Sequence, residues 1–221
     1  MITLHHCVGT RSFRPLWALE ELELPYDLKV MPFPPRARAP GYLELNPLGT
    51  VPLLVDGATR MTESAAICHY LATRDGRSEL AVAPGEPDYA AYLNWLHFGE
   101  ATLTFPQAIV LRYSRMEPPE RRLPQAAEDY ARWFGARLRA VSERISGRDW
   151  LAGDRFTMAD ISVGYALMLA DESGLSARFS PPIQAYRERL RSRPAYRRAG
   201  AAELRAAAEQ GVADTAIAPS A

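Results

Sequence analysis

The most informative part of the 221-residue chain reads Asn46-Pro47-Leu48-Gly49-Thr50-Val51-Pro52-Leu53-Leu54-Val55-Asp56-Gly57, and Glu63-Ser64 follow shortly after it. Its apolar residues 53–55 stand between turn residues, which predicts a short buried strand. Pro52 lies at the entrance of this strand, where a missing N–H group is tolerated. Asp56-Gly57 predicts a tight turn into a second strand at about residues 60–62. From Ser64 onward the pattern predicts an amphipathic helix.

This stretch could bind a small acidic peptide. If the Val51–Pro52 bond is cis, the backbone N–H and C=O of Val51 are left unpaired and can hold an extended peptide by strand-like hydrogen bonds. Only about one X-Pro bond in twenty is cis. The start of the next helix offers free N–H groups to a carboxylate. The alternative is a buried strand, a turn and a capped helix with no ligand.

The residues before this stretch predict a strand–helix–strand unit. Residues 2–5 predict a strand, residues 13–22 a helix and residues 26–31 a second strand, which together form a parallel crossover. Residues 32–40 are interpreted as a loop and residues 41–45 as a short helical turn. With the strands and helix that follow, the order predicts a small four-stranded mixed sheet with helices on its faces.

The rest of the chain predicts helices. Residues 78–87 are the best candidate for a linker. A long helix is predicted at 88–116, with a break at Phe105-Pro106. A second long helix follows Pro118-Pro119 and ends at about residue 146. Thr157 and Asp160 have the spacing of a capping box and predict the start of a largely apolar helix. Shorter helices are predicted at 182–192 and 194–210, and residues 212–221 are expected to be mobile.

The motif Asn-Pro-x-Gly-x-Val-Pro-x-Leu, followed by Glu-Ser, resembles the glutathione-binding core of cytosolic glutathione transferases, and the resemblance covers nearly the whole chain. It implies an α/β plus all-α fold. A thioredoxin-like domain at 1–78 and a linker at 79–87 precede a helical bundle domain at 88–210 and a flexible tail at 211–221.

The resemblance also implies how glutathione binds. In the family the motif proline is cis, the residue before it pairs with the cysteinyl part, and the Glu-Ser pair holds the γ-glutamyl end. The implied glutathione-binding residues are Thr50, Val51, Pro52, Glu63 and Ser64. Arg36 or Arg38 could meet the glycyl carboxylate, and Arg38 is the one we assign to the site.

Thr10 and Ser12 are the catalytic candidates. The transferase must ionise the glutathione thiol, whose free pKa is about 8.5, and a hydroxyl that donates to the sulfur would stabilise the anion. Related sequences often carry Ser-Arg-Ser before an arginine. Counting back from Arg14, Thr10 stands in place of the first serine, which is a departure from the family pattern. We favour Thr10 as the donor, with Ser12 as the alternative. The alternative that one or both of them simply cap the helix is nearly as well supported.

The two cysteines and the neighbouring histidines suggest weaker alternatives. Cys7 could serve mixed-disulfide chemistry, but its place at a strand end predicts a buried residue. Cys68 is expected in the core. His5, His6 and Cys7 could suggest a metal, yet consecutive strand residues point to opposite faces, so we predict no metal site.

The composition excludes some partners. The formal net charge is zero, so no overall field attracts nucleic acid or anionic membranes. No run is long enough to cross a bilayer and no secretory signal is recognisable, so we expect a cytoplasmic protein with no nucleic-acid or membrane partner.

The function implied by the resemblance is detoxification. Glutathione, a co-substrate, would attack a small hydrophobic electrophile in a homodimeric enzyme. The electrophile pocket is expected between the domains, facing Thr10, and lined by Phe98, Thr102, Phe105 and Ile109. The alternatives are a glutathione-dependent reductase of peroxides or disulfides, and a non-catalytic binding protein of the same fold.

Overall fold

The computed structural model describes residues 1–76 and 79–213. The last residue of the predicted first domain, Ser78, and residues 214–221 of the predicted tail lie outside this range. The chain divides into two compact units. The first contains Met1–Arg77 and the segment from Arg191 onward, and the second contains Ser78–Leu190.

The first unit holds a four-stranded sheet and its helices. Its elements are β1 (Ile2–His6), α1 (Phe13–Glu21), β2 (Tyr26–Val30), α2 (Pro35–Arg38), α3 (Tyr42–Leu45), β3 (Leu53–Asp56), β4 (Thr59–Met61), α4 (Ser64–Thr73) and α10 (Pro194–Glu209). The strand order is β2-β1-β3-β4. β1 is parallel to β2 and antiparallel to β3, and β3 is antiparallel to β4. This confirms the predicted mixed sheet of a thioredoxin-like unit. The loop predicted at 32–40 contains the short helix α2.

Helix α10 packs on α1 and β2 of the first unit, whereas the sequence interpretation placed residues 191–210 in the helical domain. Arg193 makes two hydrogen bonds to the Glu21 carboxylate, at 2.6 and 2.7 Å. The ring of Tyr196 meets those of Phe13 and Trp17 edge-on, with centroids 5.5 and 5.0 Å apart. The apolar face of α10 therefore buries against α1, a long-range contact that the helical pattern alone does not indicate.

The chain after α10 is also anchored. The side-chain amide of Gln210 accepts a hydrogen bond from the Val30 N–H and donates one to the Leu28 carbonyl, each at 2.9 Å. These bonds satisfy backbone groups of edge strand β2. Val212 packs against the buried cluster of Val8 and Val30. Gln210 therefore completes the sheet edge, and Val212 of the predicted tail packs beside it.

The second unit is helical. Its elements are α5 (Tyr89–His97), a π-helical segment (Phe98–Thr104), α6 (Phe105–Leu111), a second π-helical segment (Arg112–Met116), a 3₁₀ turn (Pro119–Arg121), α7 (Pro124–Ile145), α8 (Met158–Glu172), a 3₁₀ turn (Ser176–Arg178) and α9 (Pro181–Ser192), whose last two residues belong to the first unit. Among the described residues no helix is long and apolar enough to cross a membrane.

The break predicted at Phe105-Pro106 is a widened turn instead. Pro106 lacks an N–H, and its ring would collide with the carbonyl four residues earlier in a regular α-helix. The chain responds with a π segment, a common way for a helix to absorb an irregularity. The N–H of Phe105 donates to the Glu100 carbonyl, and the Thr104 hydroxyl donates to the Gly99 carbonyl at 2.7 Å. The helix therefore continues from the π segment into α6 without a break at Pro106.

Gly99 lets this segment approach α8 closely. A Cβ at this position would lie 2.4 Å from the Ser162 hydroxyl oxygen and 2.5 and 2.6 Å from the Ser162 backbone. The Ser162 hydroxyl donates to the Leu96 carbonyl at 2.6 Å, so neither side can retreat without losing this bond. The close approach explains why only glycine fits.

We therefore expect Gly99→Ala to lower the free energy of unfolding by about 1–3 kcal/mol, the range typical of overpacking. Chemical denaturation followed by circular dichroism measures it. Gly200→Ala is the matched control, because Gly200 lies inside α10 with no atom within 4 Å of an added Cβ. The control should stabilise by about 0.5–1 kcal/mol. Equal effects at both positions would contradict the packing argument.

The predicted linker at 79–87 is packed rather than open. Arg155 donates from Nη2 to the Ala81 carbonyl at 2.8 Å and binds the Glu86 carboxylate with both terminal nitrogens, at 2.9 and 2.8 Å. Ala81 and Val82 are buried. The Met158 N–H, at the start of α8, donates to the Leu80 carbonyl at 2.8 Å. These contacts hold the segment to the second unit.

The predicted capping box is present at the start of α8. One carboxylate oxygen of Asp160 accepts from the Thr157 N–H at 2.8 Å and the Thr157 hydroxyl at 3.2 Å. The other oxygen accepts from the Leu151 N–H at 3.0 Å and the Tyr186 hydroxyl at 2.7 Å. Asp160 is fully buried, and this burial raises its pKa to about 6. The carboxylate thus joins α8, the loop before it and α9.

Candidate active site

Two loops of the first unit lie at the same end of neighbouring strands. β1 and β3 are antiparallel, and His5 is opposite Leu53. The chain leaving β1 and the chain entering β3 therefore meet at one end of the sheet. Cys7 packs in one buried cluster with Leu53 and the partly buried Val51. This end of the sheet brings the Thr10 loop near the Val51–Pro52 segment.

The Val51–Pro52 peptide bond is cis. Thr50, which precedes Val51, is held in place because its carbonyl accepts hydrogen bonds from the Tyr42 hydroxyl at 2.7 Å and from the Asn46 side-chain amide at 2.8 Å. In the part of the chain that the structure describes, neither the N–H nor the C=O of Val51 forms a backbone hydrogen bond. These two groups are therefore available to an extended ligand.

The Glu63-Ser64 pair lies at the start of α4. Glu63 is the residue before the helix, with extended backbone, and it is exposed. Ser64 is the first helical residue and is buried. Its hydroxyl accepts a hydrogen bond from the buried Arg14 guanidinium at 3.2 Å. The helix N-terminus and this guanidinium both favour an anion beside Ser64. Sequence reasoning used Arg14 only as a reference position and missed this contact.

Arg36 and Arg38 lie on the short helix α2, and both side chains are exposed. The backbone of Arg36 is close to Gly49, where an added Cβ would lie 2.6 Å from the Arg36 Cβ. Gly49 has a φ of +62°, so both its conformation and its surroundings require glycine. This contact sets α2 against the loop before the cis bond, and Arg38 is on the surface of that assembly.

Thr10 and Ser12 form a hydrogen-bonded pair in the loop between β1 and α1. Their hydroxyl oxygens are 2.7 Å apart. The Thr10 hydroxyl donates to the Cys7 carbonyl at 2.8 Å. Ser12 occupies the N-cap position of α1, but its side chain makes no capping bond. The capping role considered for Ser12 is therefore wrong. Ser12 is completely buried, whereas 9% of Thr10 is exposed.

Further hydrogen bonds connect the Thr10–Ser12 pair to His6 and Glu203 in the interior of the first unit. The Ser12 hydroxyl is 2.7 Å from Nδ1 of His6. Nε2 of His6 is 2.9 Å from a carboxylate oxygen of Glu203 on α10. The same oxygen accepts from the Gly9 N–H at 3.3 Å. The structure therefore joins Thr10, Ser12, His6 and Glu203 in one buried network.

Sequence reasoning missed His6 and Glu203. It considered His6 only as a metal ligand, and Glu203 is 197 residues away along the chain. One signal could have found Glu203: it stands among the small buried residues Ala199, Ala202 and Ala206 on one face of α10. A carboxylate on such a face needs a partner, because an unpaired buried charge is very costly.

The two histidines of β1 point to opposite faces, as expected. The His5 ring packs near Tyr42, with ring centroids 5.9 Å apart. Burial, followed by the positive charge of Lys29, lowers the pKa of His5. Within residues 1–76 and 79–213 no group of three or more His, Cys, Asp or Glu side chains could hold a metal ion.

Both cysteines are buried thiols. Burial raises the pKa of Cys7 to about 12, and the same cause raises the pKa of Cys68 to about 12. The thiolate is the reactive form, so both cysteines are protonated near neutral pH. Cys7 lies in the core beside Met31 and Leu53, as the sequence indicated.

The four residues assigned to the electrophile lie in the second unit, on the first π segment and α6. Phe98, Thr102 and Ile109 are partly exposed, and Phe105 is 49% exposed. The Phe105 ring meets that of Tyr130 edge-on, at 6.2 Å between centroids. None of the four is a core residue, so their side chains remain accessible on the surface of this unit.

The family models that match this chain both describe domains of glutathione S-transferases. A family model described as "Glutathione S-transferase, N-terminal domain" matches residues 10–74. A second, described as "Glutathione S-transferase, C-terminal domain", matches residues 106–194. The first match contains Thr10, the cis bond and the Glu63-Ser64 pair.

Individual relatives cover most of the chain. "Glutathione S-transferase GstB" of Escherichia coli is 30% identical in an alignment of 195 positions that covers 86% of this chain and 92% of the relative. "Glutathione S-transferase 3" of Schizosaccharomyces pombe is 29% identical in an alignment of 213 positions that covers 89% of this chain and 86% of the relative. A solved structure described as a ternary complex of BphK, a bacterial GST, superimposes with a TM-score of 0.79 at 28% identity, covering 91% of this chain and 98% of that one.

Proposed function

Because the chain belongs to the glutathione S-transferase family, we propose that it ionises the glutathione thiol and directs the thiolate at a small hydrophobic electrophile. The observation that carries the proposal is the placement of the Thr10 hydroxyl. It lies at the end of β1, at the same end of the sheet as the cis Val51–Pro52 bond, and it is more exposed than Ser12. A thiol held by Val51 would meet a hydroxyl donor there.

Glutathione binds in this proposal as an added extended segment. Its cysteinyl backbone pairs with the N–H and C=O of Val51, beside Thr50 and Pro52, in the manner of strand addition. Its γ-glutamyl carboxylate takes the N-terminus of α4 at Ser64, with the positive charge of Arg14 behind it and Glu63 facing the ammonium group. Arg38 binds the glycyl carboxylate.

Thr10 is the residue we assign to the sulfur. Its hydroxyl has one proton, which now goes to the Cys7 carbonyl, and it can turn that proton toward a thiolate. The Ser12 hydroxyl is enclosed by Thr10, His6 and the Cys7 N–H. These contacts support a contact role for Thr10 and a supporting role for Ser12.

The electrophile is assigned to the partly exposed side chains of Phe98, Thr102, Phe105 and Ile109. An accessible group of aromatic and aliphatic residues suits a small apolar molecule. The transferase supplies proximity and a pre-ionised nucleophile. The raised pKa of the buried Cys7 supports conjugation over thiol–disulfide chemistry at that cysteine.

The homodimer, the detoxifying role and the cytoplasmic location also belong to this proposal. The family resemblance supports them. Sedimentation equilibrium tests the first, sensitivity of cells lacking the protein to electrophiles tests the second, and cell fractionation tests the third.

Glutathione binding is tested by calorimetry with Ser64→Ala. We expect the affinity for glutathione to fall about 10–100-fold, because a hydrogen bond to a charged group is worth about 1.5–3 kcal/mol. Conjugation of a chloro-nitroaromatic by the wild-type protein should be detected in the same preparations. Ser176→Ala, on a 3₁₀ turn of the second unit, is the control and should bind as wild type. Undiminished affinity in Ser64→Ala would contradict the assigned binding mode, and no uptake by the wild type would contradict the function.

A further inference from the structure

The direction of the hydrogen bonds in the buried network follows from its carboxylate. An ionised Glu203 only accepts hydrogen bonds, so Nε2 of His6 must carry the proton between them. In the neutral imidazole Nδ1 is then an acceptor. Ser12, 2.7 Å from Nδ1, is therefore the donor to His6. The carboxylate thus sets the tautomer of His6, and His6 sets the orientation of the Ser12 hydroxyl.

The Ser12 oxygen has room for the Thr10 proton. It accepts the Cys7 N–H at 3.3 Å, and its remaining lone pair faces the Thr10 hydroxyl at 2.7 Å. The Thr10 proton can therefore point to the Cys7 carbonyl or to Ser12. In the second orientation an unbroken chain of donors runs from Thr10 to His6.

We propose that His6, held by Glu203, accepts the thiol proton of glutathione through the hydroxyls of Ser12 and Thr10. This inference rests on the proposed function, because it requires the sulfur to lie at Thr10. His6 does not touch the substrate, so it acts through Ser12 and Thr10.

The proton transfers balance. The Ser12 proton moves to Nδ1 of His6, the Thr10 proton moves to the Ser12 oxygen, and the thiol proton moves to the Thr10 oxygen. The products are a thiolate that accepts the Thr10 O–H bond and an imidazolium paired with Glu203. After the sulfur attacks the electrophile it is a neutral thioether, and the proton returns along the same hydroxyls to water as the conjugate leaves.

Glu203 is the charged group that stabilises the His6 imidazolium, because the other groups around His6 are apolar or neutral. β2 places the apolar Val30 opposite His6, and α10 adds the apolar Ala206 and Ala207. The neighbouring Cys7 thiol contacts the Pro32 carbonyl at 3.9 Å and stays neutral. Other charged groups on or beside α1, β2 and α10 form ion pairs: Glu20 with Arg198, Glu21 with Arg193, and Lys29 with Asp27. Arg14 is bonded to Ser64. The remaining charged side chains are exposed: Glu23, Arg197, Arg205 and Glu209.

Stability does not require this arrangement. A buried ionic pair can often be replaced by well-packed apolar residues without loss of stability. Here a carboxylate from α10 and an imidazole from β1 are instead aligned with two hydroxyls that lead to the surface at Thr10. A proton path accounts for that alignment.

Glu203→Gln is the decisive variant, because the amide oxygen can keep the bonds to His6 and Gly9 while the charge is lost. We expect kcat/KM for conjugation to fall about tenfold at neutral pH. Without the carboxylate the imidazolium is less stable, so His6 is a weaker proton acceptor and less thiolate forms at neutral pH. Activity should recover at high pH, where the thiol ionises without His6. The affinity for glutathione and the thermal melt should stay as in wild type.

A proton count gives a second readout. Glutathione is titrated into weakly buffered protein with a pH indicator, while ultraviolet absorbance follows the thiolate. Wild type should form the thiolate without releasing an equivalent of protons, because His6 retains them. In His6→Asn the thiolate should form only at higher pH, and with release of one proton for each thiolate. Equal proton release by wild type and His6→Asn would overturn the relay.

Glu209→Gln is the matched control, because it removes the same charge from an exposed position on α10, and its profile should match that of wild type. If the wild type binds glutathione and Thr10→Val is inactive, but Glu203→Gln has a wild-type profile, only the relay fails. If the wild type does not bind glutathione, the proposed function fails first.

Discussion

Thr10→Val is expected to lower kcat/KM for conjugation of a chloro-nitroaromatic by about 10²–10³-fold, the loss typical when one donor to a developing anion is removed. Valine keeps the shape of threonine and removes only the hydroxyl. Without this donor the bound thiol should titrate near the free value of about 8.5, so little thiolate would exist at neutral pH. Steady-state kinetics at several pH values measure the loss, which should shrink as the pH rises.

Affinity for glutathione should change little in Thr10→Val, because Val51 and Ser64 carry the binding. Thr73→Val is the control, since the Thr73 hydroxyl is exposed and bonds only within α4; its kinetics should equal those of wild type. Ser12→Ala should lose less than Thr10→Val, because Ser12 is the enclosed member of the pair. Full activity in Thr10→Val together with an inactive Ser12→Ala would reverse the two roles.

The elements that the sequence predicted correctly are those whose cause is local. The strand pattern at residues 2–5, the apolar run of β3 with its turn, and the spacing of Thr157 and Asp160 each act over a few residues. The structure places β1 at Ile2–His6, β3 at Leu53–Asp56 and the capping box at the start of α8. The candidate residues Thr10, Val51 and Ser64 came from a family motif that is also local.

The features that the sequence did not predict depend on distant partners. Glu203 reaches His6 across 197 residues, and α10 joins the first unit through Arg193 and Glu21. Trp133 of α7 is 42% exposed, and the Arg137 guanidinium lies 4.8 Å from the centroid of its ring. Helical periodicity cannot distinguish a face that meets a core from one that meets a charged neighbour.

Asp160→Ala is expected to lower the free energy of unfolding by about 3–5 kcal/mol, because the buried carboxylate accepts four hydrogen bonds whose donors lose their acceptor. The variant leaves the Leu151 and Thr157 N–H groups and the Tyr186 hydroxyl without their acceptor, and each unsatisfied buried donor costs about 1–3 kcal/mol. Relief from burying the carboxylate offsets part of this cost. Urea denaturation measures the difference. Asp129→Ala, at an exposed site in α7, should cost under about 1 kcal/mol.

The pH dependence of this loss identifies its source. Burial raises the pKa of Asp160 from 3.8 to about 6 in the folded protein, so between these values the folded state holds a proton that the unfolded state has released. The stabilisation from that proton is fully present below about pH 4 and is lost as the pH rises through about 6. Asp160→Asn has no proton to exchange at this position. The unfolding free energy of the wild type should therefore fall relative to that of Asp160→Asn between pH 4 and pH 7, by up to about 3 kcal/mol at 1.36 kcal/mol per unit of pKa. Parallel stability curves for the two proteins would show that the four hydrogen bonds fully compensate the burial of this carboxylate.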